Sequence, residues 1–110
     1  MSADGPLSPL KALALAARML EANGFTVVAR NERGDSLYLK RPDGPWHLRV
    51  SNHPRTAKQR SRRTDILASL IIDGPRSPER LRIHVAEAVR NFQGALARKG
   101  DQTSADGSRK

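Results

Sequence analysis

The chain shows helical spacing of its apolar residues near each end and strict alternation in between. Leu10, Leu13, Ala14, Ala17 and Leu20 recur at helical intervals after Ser8-Pro9, a hydroxyl N-cap followed by proline at the first helical position. Alanine fills most other positions, and Asn23-Gly24 supplies a stop. The pattern predicts a helix over about residues 9–22. Phe25-Thr26-Val27-Val28-Ala29-Arg30 is aromatic and β-branched, as in a strand. The next two segments alternate. Leu37 and Leu39 oppose Tyr38 and Lys40, and Trp46, Leu48 and Val50 oppose His47, Arg49 and Ser51. Such alternation marks a sheet with one buried and one wet face, and the Pro42-Asp43-Gly44 connection is a turn. Residues 65–73 fit either a helical stripe or a buried strand. Gly74-Pro75 and the β-branched end favour the strand. Ser77-Pro78-Glu79 repeats the helix start, with Leu81, Val85, Ala88, Val89, Phe92 and Leu96 on one stripe. The predicted fold is α+β: a helix, a three- or four-stranded antiparallel β-meander and a C-terminal helix.

At 110 residues this is one domain. The expected division is a flexible N-terminus over 1–7, a single α+β domain over 8–97 and a disordered basic tail over 98–110, where no apolar anchor occurs. No internal repeat is present.

Charge changes the picture more than length does. The net charge is +9, and such an excess speaks of partners rather than of fold. Nucleic acid is the commonest polyanion a cytoplasmic protein meets; an acidic protein surface comes next. There is no cysteine, which removes disulfides, thiolate zinc sites and a cysteine nucleophile. The N-terminus lacks the pattern of a signal peptide, and no apolar run approaches the roughly 20 residues of a membrane span. A cytoplasmic location is expected, with no membrane partner.

The charge is concentrated. Between Ser51 and Thr64 there is no acidic residue, while Arg55, Lys58, Arg60, Arg62 and Arg63 crowd one predicted loop. Arginine presents a planar fork that suits phosphate oxygens, and such a cluster can release counterions from a phosphate backbone. The same charge could simply keep a flexible loop soluble. Tyr38, His47, Lys40 and Arg49 lie on the predicted wet face beside it. They form a binding platform if that face is open; if a loop or the last helix covers it, Tyr38 and His47 are half-buried packing residues. The loop has no interleaved aromatic residue, so base stacking there has little support.

Among the histidines, His84 sits near the apolar stripe of the last helix and reads as a packing or surface residue. His53 follows the third strand and is the weak candidate for acid–base work, with Asp35, Asp65 or Asp73 as carboxylates that could approach it. No ligand spacing supports a metal, and no cofactor motif, nucleophile elbow or phosphate-cradling glycine loop is present.

The order of helix, meander and helix resembles the double-stranded-RNA-binding fold. Within it, Leu20 to Ile72 is similar to the HicA-type toxins, small ribonucleases of that fold. The similar features are Leu20-Glu21, Gly24-Phe25, Ser36 with Tyr38, Arg41-Pro42-Asp43-Gly44, a third strand ending near His53, and Asp65-Ile66-Leu67. The resemblance places the family's catalytic histidine at Leu37, so cleavage by the family mechanism is not expected. Ser77-Pro78-Glu79-Arg80 likewise stands where double-stranded-RNA binders carry a lysine-rich helix start.

The expected function is therefore non-catalytic binding of nucleic acid, RNA or DNA, by mostly electrostatic contacts. The residues expected to carry it are Arg55, Lys58, Arg60, Arg62, Arg63, Lys40, Arg49, Tyr38 and His47. The alternatives are a small adaptor or inhibitor that docks on an acidic protein, or a divergent HicA-like ribonuclease using His53. An exposed strand edge would allow a homodimer.

Overall fold

The structure is a computed structural model. It describes residues 6–42 and 44–109, with side chains as far as Lys99. Asp43 of the central turn and residues 1–5 and 110 lie outside the described residues. The elements follow the order α1 (Pro9–Ala22), β1 (Thr26–Arg30), β2 (Ser36–Lys40), β3 (His47–Ser51), α2 (Ala57–Arg62), β4 (Ile66–Ile71) and α3 (Pro78–Arg109). This is the expected α+β architecture.

The start of α1 is set as the sequence indicates. The Ser8 hydroxyl accepts a hydrogen bond from the Lys11 amide at 3.4 Å, with Pro9 in the first turn. Gly24 takes φ of 92° just past the C-cap Asn23, a conformation that costs little only without a Cβ. The buried face is mostly alanine: Ala12, Leu13, Ala16, Ala17 and Leu20. Small residues let α1 lie close against both α3 and the sheet.

The sheet has four strands in the order β1-β2-β3-β4. β1, β2 and β3 pair antiparallel, but β4 runs parallel to β3. The expected meander thus ends after three strands. A parallel return needs a crossover, and residues 52–65 provide it. The register fixes what each face carries. Leu37, Val50 and Leu70 form one rung across three strands, and Leu39, Leu48 and Ala68 form the next. These face α1 and α3 and make the core with Phe25, Ile72, Leu81, Val85, Ala88 and Phe92. Phe25 meets Phe92 edge-on at 5.0 Å between ring centroids. Tyr38, Arg49 and Ser69 form the alternate rung and point the other way.

Three expectations change. Leu7, assigned to a flexible end, pairs with Arg76, its amide 2.6 Å from the Arg76 carbonyl and its carbonyl 3.0 Å from the Arg76 amide. Its side chain also packs on the core, and that burial holds the segment. The basic loop contains a helix, α2, because Thr56 and Gln59 form a capping box: the Gln59 amide donates to Thr56 Oγ1 at 3.1 Å and Gln59 Oε1 accepts from the Thr56 amide at 2.9 Å. Third, α3 continues to Arg109, where a disordered tail was expected from residue 98. No proline interrupts it after Pro78, and extending an existing helix costs far less than starting one. Among the described residues, no helix is long and apolar enough to cross a membrane.

Candidate nucleic-acid interface

The site lies on the sheet face opposite the core, beneath the crossover. It starts in the β1–β2 turn. Gly34 adopts φ of 75°, and the Asn31 side chain folds back so that its Oδ1 accepts from the amides of Asp35 and Ser36, each at 3.0 Å. Asn31 Nδ2 also donates to the Asp35 carboxylate. That hydrogen bond, with His53 nearby, holds the Asp35 carboxyl below its ordinary range.

On β2 and β3, Ser36 faces Ser51 and Tyr38 faces Arg49. The two serine hydroxyls lie 2.7 Å apart, and Ser51 Oγ donates to the Asp35 carbonyl at 3.1 Å. Arg49 crosses above them. Its Nη2 donates to Ser51 Oγ at 3.0 Å and, more weakly, to Ser36 Oγ at 3.4 Å. Arg49 is only 2% exposed, so the alternation that predicted a solvated side chain here is overruled by the crossover that covers it. Its Nε and Nη1 are buried and have no hydrogen-bond partner. No carboxylate of the described residues pairs with it.

The roof is the α2 segment. Arg63 donates to both oxygens of Asp65, from Nε at 3.0 Å and Nη2 at 3.1 Å, and its guanidinium lies 5.0 Å from the centre of the Tyr38 ring. The pair is reciprocal: Asp65 is pulled below its ordinary range by the Arg63 hydrogen bond, and Arg63 is raised by Asp65. Arg55 reaches the Arg63 carbonyl at 3.3 Å. Its pKa is lowered, first by desolvation and then by repulsion from Arg49. Between roof and sheet is a cavity of about 230 Å³ lined by Tyr38, Arg49, His53, Arg55, Arg62 and Arg63, together with Asn31, Ser36 and Gln59.

The residues picked from sequence therefore divide. Tyr38, Arg49, Arg55, Arg62 and Arg63 converge on one cavity. Lys58 and Arg60 are exposed on α2 and do not line it. Lys40 and His47 pair across β2 and β3, two residues along the sheet from the Tyr38–Arg49 pair, and are not part of the cavity. His47 is occupied structurally: its amide donates to the Asp65 carbonyl at 2.9 Å, and its Nδ1 lies 2.9 Å from Asp65 Oδ2. The second is a close approach without hydrogen-bond alignment, and Nδ1 has no partner of proper geometry.

His53 lines the cavity, with Nε2 3.5 Å from Asp35 Oδ1 and Nδ1 3.3 Å from the Pro54 carbonyl. Both ring nitrogens thus have an oxygen atom nearby. Sequence reasoning missed Asn31, Ser36, Ser51 and Gln59. The Thr56-x-x-Gln59 box and the Ser-Arg-Ser polar face were the available signals. Comparison with known protein families, with curated proteins and with solved structures finds no match.

Proposed function

We propose that this is a non-catalytic nucleic-acid-binding protein that engages phosphates through α2 and the cavity beneath it. One observation carries the reading. Arg49, Arg55 and Arg62 line a single cavity with no carboxylate partner among the described residues, and Lys58 and Arg60 extend the same charge outward on α2. The carboxylates nearby are already engaged, Asp65 by Arg63 and Asp35 by Asn31. Uncompensated cations held by backbone elements suit a polyanion, because bound phosphates release their condensed counterions.

The test is binding of labelled RNA and DNA oligonucleotides by the wild type and by a Lys58→Glu/Arg60→Glu/Arg62→Glu variant across salt. Removing about three phosphate contacts should flatten the log–log salt slope by about 2 to 3. Unchanged affinity and slope would contradict the reading. Absence of binding by the wild type at low salt would turn the charge toward an acidic protein surface instead.

A further inference from the structure

Arg49 marks a more specific site inside this interface. Apart from the serines it touches, it is the one polar or charged residue of the described chain that is fully buried. Its Nη2 is fixed by Ser36 and Ser51, whereas Nε and Nη1 are shut away from solvent with no acceptor. A buried cation without a counter-charge is costly, and a leucine or methionine would fill the same place without that cost. A guanidinium held rigidly at the floor of a cavity, beside Arg55 and Arg62, is completed by an anion that enters from above.

The geometry points to a pocket for the dianionic phosphoryl group of a phosphomonoester, with Arg49 at its base and Arg55, Arg62 and Tyr38 around it. Three considerations choose this ligand. The cations left without carboxylates exceed what the single charge of a carboxylate balances. A phosphomonoester offers three terminal oxygens to donors on several sides, and arginine forks match it. An internal phosphodiester carries one charge and a chain leaving in both directions, whereas a terminal phosphate carries up to two charges and projects alone, which suits the deepest cation, Arg49. The sources with this chemistry are the phosphorylated end of a nucleic-acid strand, a free nucleotide monophosphate and inorganic phosphate. The inference rests on the nucleic-acid reading only for the choice of the strand end among them.

The experiment uses the full chain and oligonucleotides of one sequence ending in a 5′-phosphate, a 3′-phosphate or hydroxyls only, at constant ionic strength. One phosphorylated end should bind about tenfold more tightly or better than the hydroxyl-ended strand, as charge-assisted hydrogen bonds allow. Inorganic phosphate should abolish that preference without displacing the hydroxyl-ended strand. Arg49→Lys, which keeps the charge but loses the fork, should abolish the preference as well. Lys58→Glu/Arg60→Glu should weaken all strands alike and leave the ratio intact. Equal affinity for all ends, or competition by acetate as effective as by phosphate, would overturn the pocket. If no strand binds, calorimetric titration with inorganic phosphate and adenosine monophosphate decides. Saturable uptake lost in Arg49→Lys supports the pocket with a small-molecule source, and no uptake by the wild type overturns it.

Discussion

The two faces of the sheet are built from alternate residues of the same strands and obey opposite rules. On one face Leu37, Leu39, Leu48 and Val50 pack under α1 and α3 in a cluster of buried apolar residues. On the other, Ser36, Arg49 and Ser51 are buried as deeply as those leucines, yet the central side chain keeps a charge with two nitrogens unpartnered. Depth of burial is alike; satisfaction is not. The first face is complete without a ligand. The second leaves buried donors that the proposed anion would complete, and that contrast sets stability against the proposed function along single strands.

Substitutions on the two faces should therefore differ in what they do to stability. The largest effect is expected at the apolar face. Leu39→Ala removes a fully buried side chain from the middle of the core and should cost about 2 to 5 kcal/mol in urea unfolding. On the opposite face, Arg49→Leu should leave stability unchanged or raise it by about 1 to 2 kcal/mol, since it removes a desolvated cation. The same variant should lose phosphate-dependent binding. A loss of stability at Arg49 as large as that at Leu39 would mean that the guanidinium is structural and the comparison fails.

The smallest effect is the response to acid. Asp35 and Asp65 have pKa values lowered by Asn31 and Arg63 respectively, so the unfolded chain binds protons more readily than the folded one. Their contribution is fully present above the ordinary carboxylate value of 3.8 and is lost as pH falls through the depressed values below it. Both residues sit around the crossover. Amide exchange of α2 should accordingly rise toward pH 3 relative to its own neutral-pH value, after correction for intrinsic rates, while the strand amides of Leu39 and Leu48 stay protected.

The apolar half of the fold is legible in the sequence because burial there follows period alone. The spacing in α1 and α3, the Ser-Pro starts and the alternation in β2 and β3 each translate directly into a face. The direction of β4 is not legible. Its apolar run reads the same in either sense, and only the crossover makes it parallel. The site was half legible. The arginines could be named from their crowding, but alternation reports that Arg49 leaves the core, not that residues 52–65 return over it. His47 illustrates the same limit, since its partner Asp65 is brought by β4 and not by any local pattern. In α2, the capping box carried enough local information to identify a helix, and the density of charge concealed it.

The central claim is that ligand enters on the Arg49 face and not on the helical one. The most direct measurement is a backbone and arginine side-chain NMR titration with a short phosphorylated oligonucleotide. The expected result is a set of shifts confined to Ser36, Tyr38, Arg49, Ser51 and residues 53–63, with the Arg49 Nε–H resonance moving most. Shifts centred instead on the groove between α1 and α3, at Met19, Val85 and Val89, with Arg49 unmoved, would contradict it.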